Sequence, residues 1–357
     1  MEPNPHLRLL KRAAEDMRGR ERFVRLDRNE RVTPFSSAEF AAMLSTLRPE
    51  MFCAYPDPWP LVERLSTRLG LPPEWVSLTN GSDAAIRKLF QTYLRPADVV
   101  LLANPSYAMY PIYTQMFGGT ADLVSYRPDR TLDLSLVRER LARRPRIVAL
   151  AYPDQPTGAI IPLDELREMV AEAKRHDVLC IIDEAYFPFH PVTAVGFVSE
   201  FDNLVVTRTF SKVGGLAGLR LGYFVAHPEV IGAVDRVRGA HEVNAVAIQM
   251  GCFMLDHPAI GDSFVREIEA GRALLAGASA QLGLGFPPSP ANFQLLELPV
   301  GLDPVAVVEA LRARGYLVKG GFEHPAVERC IRVTLAGPDV IGPFVDTLRE
   351  VCAHARV

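Results

Sequence analysis

One stretch of this sequence holds a lysine among the donors that an anionic ligand requires: Thr207-Arg-Thr-Phe-Ser-Lys212-Val-Gly-Gly-Leu-Ala-Gly-Leu-Arg220. Lys212 stands between an apolar run and a glycine-rich turn. An amine held there in a dry, electropositive pocket loses its proton more easily and becomes a usable nucleophile toward an aldehyde. Thr209, Ser211 and Arg220 surround it with two hydroxyls and a guanidinium, the donors a phosphate dianion needs. Glycines 214, 215 and 218 permit close backbone approach. A surface turn with a solvated lysine would have much the same composition.

Two further segments carry chemistry. Ile181-Ile-Asp183-Glu-Ala-Tyr186 closes the most apolar run of the chain. Ligands bind at the ends of parallel strands, and an aspartate among apolar neighbours is costly unless it meets a cation, such as a protonated pyridine nitrogen. A helix-capping aspartate after a buried strand reads the same way. Tyr186, three residues on, is within reach of the same ligand's phenolic oxygen. Thr79-Asn-Gly81-Ser82-Asp83 ends a short strand and opens a helix, where free N–H groups and the positive dipole end make an anion site. Capping alone accounts for Ser82 and Asp83 equally well, but all three segments occur in one chain.

The elements that must position these residues alternate. From residue 76, short apolar or β-branched runs (VSLT, VVLLA, RIVALAYP, VLCIIDEAY) alternate with helical stretches (AAIRKLFQTYL, MYPIYTQMF, LDELREMVAEAKRHD), the rhythm of a mostly parallel α/β sheet covered on both faces. NLVVTRTF and LRLGYFVA are separated by a spacer too short for a crossover helix, so this pair is expected to be antiparallel and the sheet mixed. Beyond residue 245 come long helical segments, FQLLEL, a helix near VAVVEALRARG, a strand at CIRVTLA and a closing helix. The expected division is an N-terminal segment 1–45, which packs on the smaller domain or forms an arm over the site, a large domain 46–245 and a smaller α+β domain 246–357.

The composition excludes several partners. The chain has 357 residues, 39 basic and 42 acidic, for a formal charge of −3, spread along its length. No face is prepared for nucleic acid or an anionic membrane, and a small-molecule partner is expected. Five cysteines form no C-x-x-C pair and read as buried, reduced thiols, with no metal site. The charged N-terminus lacks a secretory core, and no apolar run approaches membrane-spanning length, so the expected compartment is the cytoplasm. The rivals from another class are a non-catalytic α/β binding protein and a nucleotide enzyme, but the G-x-x-x-x-G-K-[ST], G-x-G-x-x-G and G-x-S-x-G signatures and zinc-ligand spacing are absent, so these alternatives lack their usual marks.

Taken in order, Asn29-Glu30, Tyr55-Pro-Asp-Pro, Asn80-Gly-Ser-Asp, Pro105-Ser-Tyr107, Pro156-Thr-Gly158, Asp183-Glu-Ala-Tyr186, Ser211-Lys212 and Ile331-Arg332-Val resemble the aspartate-aminotransferase-fold enzymes dependent on pyridoxal 5′-phosphate (PLP), and within them the histidinol-phosphate aminotransferase group. The resemblance implies fold type I, with a seven-stranded type of mixed sheet between helices. It implies a Schiff base between the cofactor and Lys212, which then shuttles the Cα proton, while Asp183 keeps the pyridine nitrogen protonated. It further implies that Tyr186 bonds the ring hydroxyl and Tyr107 stacks on the ring. Phosphate would rest on Gly81, Ser82, Asp83, Thr209, Ser211 and Arg220, joined by Tyr55 of a neighbouring subunit in a homodimer. Arg332 would clamp the substrate carboxylate, with Asn29 and Glu30 of the arm beside the substrate.

Two positions depart from the group. Gln155 stands where an asparagine usually touches the ring hydroxyl, and Arg31 follows Glu30 where Asn-Pro is usual. Arg28 and Arg31 either meet an anionic substrate tail or lie solvated. The expected reaction moves an amino group from a donor such as L-glutamate to a keto acceptor, either phosphorylated or another polar biosynthetic intermediate, in two half-reactions. The rival within the same cofactor chemistry is decarboxylation of a phosphorylated amino acid, as in threonine-phosphate decarboxylases.

Overall fold

The computed structural model describes residues 1, 2, 4–8, 10 and 17–354. Its strands are β1 (Val24–Leu26), β2 (Val76–Thr79), β3 (Val99–Asn104), β4 (Thr120–Ser125), β5 (Ile147–Ala151), β6 (Leu179–Asp183), β7 (Leu204–Thr209), β8 (Gly222–Ala226), β9 (Phe293–Glu297), β10 (Tyr316–Val318) and β11 (Cys330–Thr334). Seven of them form one sheet in the order β2-β8-β7-β6-β5-β3-β4. All pairs are parallel except those of β8, which runs antiparallel to both β2 and β7. The antiparallel pair expected from the short spacer is therefore present, and β8 is the strand that makes the sheet mixed.

Central strands are apolar at nearly every position because helices cover both faces. β6 is buried along its whole length, including the terminal Asp183. The helix Leu163–Arg175, which connects β5 to β6, buries Leu166, Met169, Val170 and Ala173 along one stripe. Asp164 and Glu165 lie in its first turn and Lys174 and Arg175 in its last, each charge opposing the helix dipole. The sheet has one core on each face.

The C-terminal part holds the expected helices: Pro258–Leu282, Pro304–Arg312 and Pro338–His354 surround a separate apolar core, whereas Ala245–Asp256 buries Ala247, Ile248, Met250, Cys252, Phe253 and Met254 in a core of the large sheet. β9 and β11 pair antiparallel there. β1 pairs parallel with β10, so the N-terminal segment is stitched onto this layer before it crosses toward the large sheet. Strands β1, β4 and β10 were not expected. β4 is an edge strand with a single buried residue, Val124, and β1 and β10 have three residues each. Of the five cysteines, Cys53 is exposed, which corrects the expectation for that one thiol, and the other four are buried. Among the described residues, no group of His, Cys, Asp and Glu could hold a metal, and no helix is long and apolar enough to cross a membrane.

Candidate active site

The carboxyl ends of β5, β6 and β7 and the start of the helix Ser82–Tyr93 converge on a cavity of about 140 Å³. Its walls include Ser82, Asp83, Tyr107, Gln155, Asp183, Tyr186, Thr209, Ser211, Lys212 and Arg220. Residues separated by more than a hundred positions meet there because parallel strands deliver their C-terminal ends to one edge of the sheet.

Lys212 lies three residues beyond the end of β7. Its Nζ donates to the backbone carbonyl of Arg28 at 3.0 Å and sits 5.9 Å from the centre of the Tyr186 ring. Burial, and then the guanidiniums of Arg332 and Arg220, push its pKa down to about 8 against the opposing carboxylates of Glu30 and Asp183. The turn that follows admits the N-terminal segment at Gly215: at its φ of +65°, a Cβ would lie 2.8 Å from Arg31 Cδ and 2.9 Å from Phe35 Cζ. Gly214 likewise leaves no room, with Phe210 O 2.7 Å from an added Cβ, but Gly218 faces open space and serves no such approach.

Asp183 faces the lysine from the end of β6. Thr207, its register partner on β7, donates Oγ1 to Oδ1 at 2.7 Å, and Tyr110 donates its hydroxyl to Oδ2 at 3.3 Å. Burial raises this carboxyl to about 6, the two hydrogen bonds holding it lower than burial alone would. Both donors are neutral, and among the described residues no lysine or arginine forms an ion pair with Asp183. A carboxylate so placed has the environment of one that awaits a cation.

Tyr186 projects from the turn after β6. Its hydroxyl donates to Gln155 Oε1 at 2.7 Å and accepts from Asn29 Nδ2 at 2.8 Å. Asn29 is fully buried in the left-handed region, φ 55°. Its N–H donates to Thr334 Oγ1 at 2.8 Å, and its carbonyl accepts from Asn292 Nδ2 at 3.0 Å. On the opposite wall, Tyr107 and Tyr113 donate their hydroxyls to the two oxygens of Asp83 at 3.0 and 2.8 Å. The Tyr107 ring stands edge-on to Tyr110.

The anion cradle follows from the backbone. Gly81 is the N-cap of Ser82–Tyr93 with φ +81°, and a Cβ there would lie 2.6 Å from Arg220 Nη2. A Cβ at Gly222 would collide with the Ser82 nitrogen. Only glycines let the helix N-terminus and Arg220 come this close. Arg220 donates Nη1 to Ser211 Oγ at 3.3 Å, and Thr209 donates Oγ1 to the same oxygen at 3.0 Å.

The remaining residues divide. Arg332, on β11, is buried rather than a surface arginine: Nη2 donates to Asp27 O at 2.8 Å, and its Nε has no partner. Glu30 turns from the cavity toward Arg20 and Arg25, at 3.2 and 3.1 Å. Tyr55 is 82% exposed and stacks on His241, so it lies apart from this chain's own cavity. Arg31 is sandwiched between the Phe35 and Phe264 rings at 4.3 and 4.6 Å, a packed position in place of the solvated one. Thr207, Tyr110 and Asn292 escaped the sequence reading. Tyr110 carried a signal, since it stands in the first turn of the helix Met109–Met116, three residues after Tyr107.

This donor set suits PLP: an amine with lowered pKa, a buried carboxylate lacking a cation, a tyrosine hydroxyl and a helix N-terminus opened by glycines. The profile described as aminotransferase class I and II matches residues 60–340. The chain is 36% identical over 323 residues to histidinol-phosphate aminotransferase 1 of Burkholderia lata, covering 89% of each. It is 33% identical over 331 residues to histidinol-phosphate aminotransferase 1 of Carboxydothermus hydrogenoformans, covering 92% of this chain and 93% of that one. Among solved structures, the histidinol-phosphate aminotransferase of Sinorhizobium meliloti in complex with pyridoxal 5′-phosphate superposes with a TM-score of 0.85 at 23% identity, covering 93% and 91% of the two chains. L-threonine-O-3-phosphate decarboxylase from Porphyromonas gingivalis gives 0.78 at 23%, covering 92% and 98%. At these identities the structural likenesses establish the fold.

Proposed function

The chain belongs to the class I and II aminotransferases and is a PLP-dependent enzyme of fold type I, and from that premise we propose that it carries an amino group from L-glutamate to a phosphorylated keto acceptor of the kind its histidinol-phosphate aminotransferase relatives are named for. One observation carries the reading. A single cavity has an amine with a pKa of about 8 on one side and a buried, cation-free carboxylate on the other.

When bound, PLP supplies an aldehyde that exchanges amines and a ring that accepts electron density from the substrate Cα. Lys212 holds the cofactor and, once released, moves the proton at the substrate Cα; its lowered pKa puts a useful fraction of neutral amine at neutral pH. Asp183 keeps the ring nitrogen protonated, and Thr207 and Tyr110 hold its carboxylate in line. Tyr186 and Gln155, already bonded to each other and backed by Asn29, would hold the ring hydroxyl. Tyr107, in the cavity wall, would cover the bound ring and exclude water. Gly81, Ser82 and Asp83 present backbone at the helix N-terminus to the phosphate, and Thr209, Ser211 and Arg220 complete its shell. Arg332 receives the substrate's carboxylate or equivalent anion, and Glu30 lies near enough to Lys212 to act on its charge.

The active unit in this reading is a homodimer in which Tyr55 of one copy completes the phosphate site of the other. Exposed Phe40, Leu44, Phe52, Tyr55 and Trp59, all within one short stretch of chain, support a covered face. The division at residues 45 and 245, and a place in the cytoplasm, belong to the same proposal.

The test is the absorbance spectrum of the purified protein with PLP, before and after L-glutamate. Conversion of the visible band to the shorter-wavelength amine form of the cofactor is expected, followed by its return with imidazole acetol phosphate. A band that glutamate leaves unchanged, with carbon dioxide released from O-phosphothreonine, would replace transamination by decarboxylation.

A further inference from the structure

Asp154 has no part in the chemistry above, yet its carboxylate is 1% exposed and is gripped from two directions. Ser106 donates Oγ to Oδ1 at 2.6 Å. Thr157 donates to Oδ2 twice, through Oγ1 at 2.6 Å and through its N–H at 3.3 Å. The backbone closes the same turn, with Gly158 N–H donating to Asp154 O and Asp154 N–H to Ala159 O, both at 2.9 Å.

Burying a carboxylate among neutral donors costs free energy that an apolar side chain would not. What it adds is linkage. Ser106 immediately precedes Tyr107, whose hydroxyl is anchored on Asp83. Thr157 belongs to the turn that carries Gln155, the acceptor for Tyr186. Tyr107 and Gln155 both line the cavity, but they come from the ends of β3 and β5, and among the hydrogen bonds of the described residues Asp154 is what joins Ser106 to that turn.

We infer that Asp154 is a positioning residue: its two carboxylate oxygens tie the Ser106–Tyr107 segment to the Gln155–Thr157 turn and set the spacing of Tyr107 and Gln155 across the cavity. The inference rests on the reading of that cavity as the PLP site.

The experiment titrates PLP into apoprotein of the wild type, Asp154→Ala, Asp154→Asn, Ser106→Ala and Thr157→Val. It records the affinity, the visible circular dichroism of the bound cofactor and the glutamate half-reaction, with a melting curve for each protein. Asp154→Ala is expected to weaken PLP binding about tenfold, the scale of one or two lost hydrogen bonds. It should also alter the dichroism of the bound ring and lower the half-reaction rate while the glutamate KM stays near the wild-type value. Asp154→Asn, which keeps an acceptor and the shape, should recover most of this, and the Ser106 and Thr157 variants should each show part of it. If Asp154→Ala does not fold, Ser106→Ala carries the test. A wild type that binds PLP beside variants whose affinity, dichroism and rates are unchanged, or that differ only in melting temperature, overturns the positioning role alone. A wild type that takes up no PLP overturns the cofactor reading, and the inference with it.

Discussion

Tyr186 donates its hydroxyl hydrogen to Gln155 Oε1 across 2.7 Å while accepting from Asn29 Nδ2 at 2.8 Å. The extra methylene of Gln155 thus has a use, since it carries the amide oxygen out to the tyrosine. Gln155→Asn, shorter by one methylene, should withdraw that oxygen and lower kcat/KM about fivefold, the loss of about 1 kcal/mol from one neutral hydrogen bond. Steady-state kinetics decide it, and an unchanged or faster variant would show that the pair does not act together.

Lys212→Ala should abolish the visible cofactor band and reduce turnover by about a thousandfold or more, within the range general acid–base groups contribute. The fold should survive, because the lysine's amine bonds a single backbone carbonyl, that of Arg28, and removing a buried amine relieves desolvation. Retained turnover would remove Lys212 from the mechanism.

Asp183 must be ionised to hold a protonated ring, and burial has pushed its pKa up to about 6. PLP affinity should therefore be flat above about pH 7 and weaken as pH falls through 6. The stability of the apoprotein carries the opposite sign. A carboxyl whose folded pKa exceeds its unfolded value stabilises fully below the unfolded pKa of about 4, and that contribution is lost as pH rises through 6. Asp154, also buried and raised to about 6, adds to the same trend. Asp183→Asn should flatten part of the apoprotein's melting temperature profile between pH 4 and 7; a profile identical to that of the wild type would contradict the raised pKa.

Arg332 is the largest charged influence lowering the Lys212 pKa. Arg332→Gln should raise the pH midpoint of PLP loading above about 8 and raise the KM for glutamate by about a hundredfold, the scale of a lost charge-assisted bidentate contact. Loading rates against pH and the KM are separate readouts. A KM change without a pH shift would leave the carboxylate clamp standing and discard the electrostatic link.

The motifs near Lys212, Asp183, Tyr186 and Gly81 were legible because each is local: a strand, its end, and the turn or helix that follows are encoded within a dozen residues. The parallel rhythm and the antiparallel β7–β8 pair were legible for the same reason, hydrophobic period and spacer length being short-range properties. β1 and β10 were not, since three-residue strands owe their existence to each other across nearly three hundred residues.

The tertiary structure decided which side chains meet. Asn29 reaches Tyr186, Asp27 O reaches Arg332 and Arg28 O reaches Lys212 because β1 is stitched to β10, which lays the next three residues between the C-terminal layer and the sheet. Glu30, one residue further, turns away to Arg20 and Arg25. The sequence by itself pointed to the cofactor through the order of its motifs, which resembles that of the PLP enzymes; taken singly, the amine, the carboxylate and the anion cradle each had a plainer reading. The pairing of Tyr186 with Gln155 and Asn29, and the grip of Asp154 on two loops, depend on distances between segments far apart in the chain. Those distances are set by packing, which no local pattern of residues records.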